Sequence, residues 1–228
     1  DQLIKYGKVL EQRNALLKNM FSHGFFDREG IEVWDEQLVR YGEFVHQERK
    51  KFLGDFIPIF EKYYQWLSSN KEQVNLEYKS QLLEGDFREM LKQAEKRDQR
   101  KQYSTVGIHK DDLVFTINEH PIKKFGSQGQ QKSYLIALKL AQFEWLNLNL
   151  GMKPVLLLDD IFDKLDHNRV ERLMEMVSNH DFGQVLITDT DIDRIKSIFQ
   201  NINTPFKAFN VNDNSIEEIE TNKLEIYG

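Results

Sequence analysis

Apolar positions in the first part of the chain recur at steps of three and four. Leu3, Tyr6, Leu10, Leu17 and Met20 mark an amphipathic helix over residues 2–21, its narrow stripe interrupted by Arg13-Asn14. His23-Gly24 breaks that pattern, and Asp27 is placed to cap a second helix. From Ile31 a second seam runs through Trp34, Leu38, Tyr41, Val45, Phe52, Phe56, Ile59, Tyr63 and Trp66 or Leu67. It predicts a long helix, packed antiparallel on the first and kinked near Pro58. After Ser68-Ser69-Asn70, the alternation of Val74, Leu76 and Tyr78 with polar neighbours predicts a half-exposed strand. Gly85-Asp86 then introduces a helix over 87–101 with Met90, Leu91 and Ala94 on its inner side. Helical periodicity stops at 101–105, which separates a mostly helical arm, residues 1–103, from a second part, residues 104–228.

In that second part the pattern changes. Leu113, Phe115 and Ile117 alternate as in a strand, and Asn118-Glu119-His120-Pro121 has the chemistry of a hairpin turn. Gly126 to Gln131 suits neither strand nor mid-helix, because Gly126 and Gly129 weaken a helix and Ser127 favours a cap. From Lys132 the chain is apolar on nearly all sides, the pattern of a buried helix. Pro154 opens a new element, and Val155 to Leu158 form a run expected of a strand covered on both faces. Val170, Leu173, Met174 and Val177 outline a helix with Asp166 as its N-cap, and Val185 to Ile187 give the next buried strand. A helix over 192–199, a strand over 206–211 and a closing hairpin through 212–219 complete the order. Strands alternating with helices predict an α/β fold with parallel pairing.

The composition narrows the class. With 228 residues, no cysteine and a net charge of −6, the chain reads as globular, without disulfides or cysteine-held zinc. No apolar stretch approaches the ~20 residues that span a membrane. The acidic balance argues against a surface that coats DNA generically, although Lys92, Lys96, Arg97, Arg100 and Lys101 share one helical stretch. Such runs are ordinarily solvated helix faces.

Candidate chemistry lies in residues 125–166. The turn holding Ser127, Gly129 and Gln130 opens a helix, and free N–H groups there suit an anion such as phosphate. Asp159 and Asp160 end the apolar strand, at the edge where open α/β sheets bind ligands. A carboxylate there is a hard oxygen ligand for Mg2+, and a neighbouring one can orient or deprotonate a water. The plain alternative is that both aspartates merely terminate a strand.

The residues also carry a resemblance. Gly126-Ser127-Gln128-Gly129-Gln130-Gln131 resembles the signature motif of ABC-type ATPases in the variant of the RecF family. Val155 to Asp160 resembles that family's Walker B strand, Asp163-Lys164-Leu165-Asp166 its D-loop, and Gly107 to Asp112 its Gly-Pro-His-Arg-Asp-Asp stretch, departing at Ile108 and Lys110. The likeness is sharp between residues 103 and 190. It implies a C-terminal ABC-ATPase lobe carrying a helical arm, in a cytoplasmic protein that binds ATP and Mg2+ and dimerises around nucleotide. It further implies binding to DNA at double-strand/single-strand junctions, and loading of recombinase at gaps with RecO and RecR. On the same resemblance Ser127, Gly129 and Gln130 contact nucleotide held by the other subunit, and Asp159 holds Mg2+. Asp160 is then the catalytic base, and Asp163 and Asp166 belong to the loop that couples the two sites.

Two departures qualify that expectation. No Gly-x-x-x-x-Gly-Lys-Ser/Thr occurs in the chain, so nothing in it cradles the α- and β-phosphates. The loop is expected in an N-terminal part of a longer protein, so that ATP hydrolysis belongs to that protein and not to this chain alone. Thr188 and Asp189 stand where many ABC ATPases place a histidine. His109 and His120 are expected to be ordinary loop histidines. The competing readings are an SMC-like or transporter-type ABC subunit and a non-catalytic binding module; an SMC arm needs far longer heptads than these.

Overall fold

The computed structural model describes residues 1–151, 153–179, 182–191, 198, 206–212 and 215–219. The chain forms two compact units, one of Asp1–Ile57 with Asn75–Thr116 and one of Pro58–Val74 with Ile117–Gly228. This grouping is by compactness, a different basis from the arm and lobe that periodicity separates at residue 103.

In the first unit, helix α1 (Gln2–His23) ends at Gly24, whose left-handed backbone returns its N–H to the Met20 carbonyl. Its buried side is Tyr6, Val9, Arg13, Leu17 and Met20, whereas Leu3 is exposed. The expected stripe is therefore rotated, and Arg13 sits at its centre instead of interrupting it. The fully buried guanidinium donates to the carboxylates of Asp35 and Asp98 and to the Ser104 hydroxyl. A charge so placed is tolerated only because it is paired and hydrogen-bonded. Around it Tyr6, Val9, Leu38, Val39, Val45, Phe87, Leu91 and Ala94 form one core with Val106 and Ile108.

Helix α2 (Arg28–Ser68) contains Pro58, and residues 28–57 belong to this unit. The buried side of its seam shifts along the helix, as 3.6 residues per turn drift from a seven-residue repeat, so Leu53 and Phe56 are buried while Phe52, expected inside, is exposed. Helix α3 (Phe87–Lys101) starts where the Asp86 carboxylate accepts the Glu89 N–H, and ends at Gln102 with φ 59°. Strands β1 (Val74–Lys79) and β2 (Asp112–Ile117) are neighbours in a small sheet.

His109 is integral to this unit, its ring bonded to the Tyr6 hydroxyl at 2.9 Å and to the Ser104 carbonyl at 3.0 Å. This corrects the expectation of a plain loop histidine. Nearby Gly107 has φ 133°, and a Cβ there would lie 2.3 Å from the Tyr6 hydroxyl oxygen. Only glycine fits.

The second unit opens with residues 58–68 of α2 and continues with β3 (His120–Pro121), α4 (Ile122–Phe125) and α5 (Gln128–Leu150). The hairpin turn expected over residues 118–121 is shorter: Asn118 and Glu119, with φ 45° and 66°, make it, and His120–Pro121 already form β3. Then come β4 (Leu156–Leu158), α6 (His167–Asn179), β5 (Val185–Ile187), β6 (Ala208–Asn212) and β7 (Ser215–Ile219). Strands β4 and β5 pair in parallel, Leu156 with Val185, Leu157 with Leu186 and Leu158 with Ile187. Strands β6 and β7 form an antiparallel hairpin with Ala208 opposite Ile219. The parallel pair is the α/β feature that the strand–helix rhythm predicts.

Two expectations change. The β4 run is covered on one face only: Leu156 and Leu158 are buried, but Leu157 is 59% and its partner Leu186 49% exposed. Alternate residues of a strand point to opposite sides, so an all-apolar run does not by itself report two covers. Likewise α5 is buried along Tyr134, Ile136, Ala137, Leu140, Ala141 and Phe143, while Leu135, Leu148 and Leu150 face outward. The Tyr134 ring packs against Phe60 at 4.6 Å and Tyr64 at 5.6 Å between centroids. The helix expected over 192–199, apart from buried Ile198, and Asp213-Asn214 of the closing hairpin lie outside the described residues. Among the described residues no helix is long and apolar enough to cross a membrane.

Candidate functional site

The site in the second unit is built on the first turn of α5. Ser127 is its N-cap: its hydroxyl accepts the Gln130 N–H at 3.2 Å, and the Gln130 side-chain oxygen accepts the Ser127 N–H at 2.8 Å. This reciprocal box starts the helix at Gln128, earlier than glycine content suggests. The Gln131 N–H goes to the Ser127 carbonyl. Gln128 and Gly129 remain the first-turn N–H groups without a partner among the described residues. Ser127 itself is exposed.

Gly129 serves a second purpose. A Cβ there would stand 3.0 Å from the Lys164 carbonyl oxygen, so the turn of residues 163–166 lies directly against the start of α5. Lys164 takes φ 66° in that turn, and exposed Asp163 faces the Lys164 ammonium at 3.8 Å. Asp166 caps α6, accepting the Arg169 N–H at 2.9 Å and the Arg169 Nε at 3.1 Å.

Asp159 and Asp160 leave β4 side by side. The Lys132 ammonium, from the second turn of α5, donates to the Asp160 carbonyl at 2.8 Å. Asp160 has φ 46°, a left-handed backbone that aspartate tolerates better than most residues. Thr188, just beyond β5, accepts the Asp160 N–H at 3.2 Å and donates its hydroxyl to the Asp159 carboxylate. The Asp160 carboxylate is exposed and has no ion pair among the described residues.

The sequence did not single out Glu72. Its carboxylate accepts hydrogen bonds from Tyr64 at 2.6 Å, Gln130 Nε2 at 3.0 Å and Arg169 Nη2 at 2.7 Å. Arg169 also donates to the Ser133 hydroxyl at 2.7 Å, which in turn donates to the Gly129 carbonyl. Burial alone would raise the Glu72 carboxyl, but the bonds from Tyr64, Gln130 and Arg169 outweigh it and hold it below the ordinary glutamate value. Tyr64, buried and donating to that carboxylate, is pushed upward and stays a neutral donor. A continuous chain of bonds thus runs from Ser127 through Gln130, Glu72 and Arg169 to Asp166. The available sequence signal was Glu72 standing, as a charged residue, just before an element that begins with buried Val74.

No three His, Cys, Asp or Glu side chains converge as a metal cage among the described residues. Mg2+ rarely needs one: it takes one or two carboxylates and completes its shell with water and substrate phosphate. Asp159 with the Thr188 hydroxyl beside it offers hard oxygens of that kind.

No family model matches the chain. Among curated proteins it is 49% identical over 210 residues to the DNA replication and repair protein RecF of Flavobacterium johnsoniae, covering 92% of this chain and 58% of the relative. It is 47% identical over 219 residues to RecF of Phocaeicola vulgatus, covering 96% and 58%, and 40% identical over 226 residues to RecF of Cytophaga hutchinsonii, covering 99% and 60%. The chain spans less than two thirds of the length of these relatives. Among solved structures, the recombination mediator protein RecF-ATPrS in the RecFOR pathway superposes with a TM-score of 0.72 at 25% identity, over 96% of this chain and 58% of that one. The RecF-ATP structure gives 0.74 at 24% identity, over 96% and 57%, a likeness of fold. Sequence and fold agree, and over the part of their length that it spans this chain is a relative of the RecF proteins.

Proposed function

We propose that this chain supplies the signature-motif, Walker B and D-loop side of a RecF-type DNA recombination and repair ATPase. In this reading Ser127, Gly129 and Gln130 face ATP held by a second subunit. The Ser127 hydroxyl and the open Gln128 and Gly129 N–H groups meet its phosphates. Asp159 is the protein ligand of Mg2+, which would neutralise phosphate charge, and exposed Asp160 accepts the proton of the attacking water. Asp163 and Asp166 lie in the turn against Gly129, where they relay closure between sites. The complete assembly would be an ATP-dependent homodimer in the cytoplasm that binds DNA at double-strand/single-strand junctions and acts with RecO and RecR to load recombinase.

The observation that carries this reading is the Lys132–Asp160 hydrogen bond, which ties the first turns of α5 to the aspartate-bearing tip of β4. A helix start with open N–H groups, which in this reading faces one nucleotide, and a carboxylate pair that serves the other are thereby held in fixed relation, as coupling between two sites requires. The test is ATP-dependent dimerisation of the longer RecF-type protein containing this chain, by light scattering. Wild type is expected to dimerise with ATP and Mg2+. A protein that binds ATP yet stays monomeric at all concentrations would overturn the trans assignment.

A further inference from the structure

The first unit carries a surface that the nucleotide reading does not use. At the end of α3 the left-handed Gln102 turns the chain so that Tyr103 leaves the helix, and the residue is 41% exposed. The Lys110 and Lys101 ammoniums stand 5.4 Å and 6.0 Å from that ring's centroid. Lys96, Arg97 and Arg100 occupy the outward side of the last turns of α3, opposite buried Leu91, Ala94 and Asp98. Among the described residues none of Lys96, Arg97, Arg100, Lys101 and Lys110 is in an ion pair. That is unusual company in a chain of net charge −6. Cations near a helix C-terminus are favoured by its dipole, which accounts for Arg100 and Lys101 but not for Lys110 or the exposed ring.

The ring also stands on a fixed base. Ser104, the next residue, is buried: its N–H and hydroxyl donate to Asn14 Oδ1 at 2.7 and 2.8 Å, its hydroxyl accepts from Arg13, and its carbonyl meets His109. Thr105 is bonded to Asp98 and accepts from Arg97 at 2.7 Å. The backbone that carries the ring is thus anchored, so placing Tyr103 for stacking costs less than it would on a free loop.

We propose that Tyr103, with Lys101, Lys110 and the basic side of α3, is a contact site for single-stranded DNA. A base stacks on the ring and the ammonium and guanidinium groups take the flanking phosphates. A stacking platform within unpaired positive charge is the chemistry that holds single strands without reading their sequence. This rests on the DNA-binding reading above and adds where the strand lies.

The test is fluorescence anisotropy of a labelled thymidine 20-mer titrated with the full chain at several salt concentrations, with circular dichroism confirming the fold of each variant. Tyr103→Ala should weaken binding on the order of tenfold, and Tyr103→Phe should keep it. Lys101→Ala and Lys110→Ala should each lower the slope of log affinity against log salt by about 0.7. Wild-type affinity in Tyr103→Ala would overturn this site and leave DNA binding elsewhere standing. Failure of the wild-type chain to bind the oligonucleotide at low salt would overturn it too. So would polyglutamate competing as well as unlabelled oligonucleotide, since the surface would then serve an acidic protein. The ATP-driven dimerisation above is measured separately and does not depend on any of these results.

Discussion

The Thr188 hydroxyl donates to the Asp159 carboxylate while accepting the Asp160 N–H, so one side chain holds both aspartates at the end of β4. Removing the hydroxyl while keeping the shape should loosen both. Thr188→Val is expected to lower stability by about 1 kcal/mol, the usual net worth of a hydrogen bond, and Thr188→Ser to preserve it. Urea denaturation of the chain reads this directly. Equal midpoints for valine and serine would show that the bridge contributes nothing.

The parallel register explains why Thr188 is there. Leu158 pairs with Ile187, so the residues next after each, Asp159 and Thr188, must emerge side by side. In the sequence Thr188 stood out only as a departure from a family pattern, because adjacency across a parallel pair cannot be seen along the chain.

Ser127 caps α5 and, in the proposed reading, also faces the partner's nucleotide, and substitutions can separate the two roles. Ser127→Ala removes the helix cap and should cost about 1 kcal/mol in chain stability. Ser127→Arg places a bulky cation where the partner's γ-phosphate would sit. In the longer RecF-type protein it should abolish ATP-dependent dimerisation while monomer ATP binding survives. An unchanged ATP-driven dimer by light scattering would contradict the role given to this turn.

Glu72 offers a pH signature. Its folded carboxyl titrates below the ordinary glutamate value of about 4.3, so its contribution is present in full above that value. The contribution is lost as pH falls through the lower folded value. Glu72→Gln strands half-buried Arg169 without its main partner and should cost roughly 2–3 kcal/mol at pH 7. The gap between wild type and Glu72→Gln in urea midpoints should shrink when both are measured at pH 3. A gap that stays constant would mean that the carboxylate charge is irrelevant to the network.

Much of the fold is legible in the sequence because local signals carried it. Ser127, Asp86 and Asp166 cap their helices as their residue types suggest, and Asn118-Glu119 form their turn. What was not legible depended on distant partners. Arg13 looked like a break in a stripe and is the buried centre of a network reaching Asp98 and Ser104. Glu72 and Arg169 are far apart in the chain and meet only after folding. The one-sided cover of Leu157 and Leu186 could not be read from runs of apolar residues that look the same whether one face or both are covered.

The chain by itself contains no Gly-x-x-x-x-Gly-Lys-Ser/Thr and should hydrolyse ATP no faster than buffer. Turnover of even ~0.01 per second, a rate slow P-loop enzymes reach, would mean that a phosphate cradle exists among these residues.

The proposed mechanism turns on the division of labour between the aspartates, and Asp160→Asn tests it cleanly. Asparagine accepts the left-handed backbone at φ 46°, and the bonds from Lys132 to the carbonyl and from the N–H to Thr188 involve only main-chain atoms of residue 160. The fold and the proposed metal ligand Asp159 should therefore survive, and only the proposed proton acceptor is lost. The measurement is single-turnover ATP hydrolysis by the longer RecF-type protein, alongside its dimer lifetime and its rate of leaving DNA. The expected result is hydrolysis slowed by about 10²–10⁴-fold, with ATP held, the dimer intact and DNA released more slowly than by wild type. Hydrolysis at the wild-type rate would contradict it, leaving Asp160 as the end of a strand and nothing more.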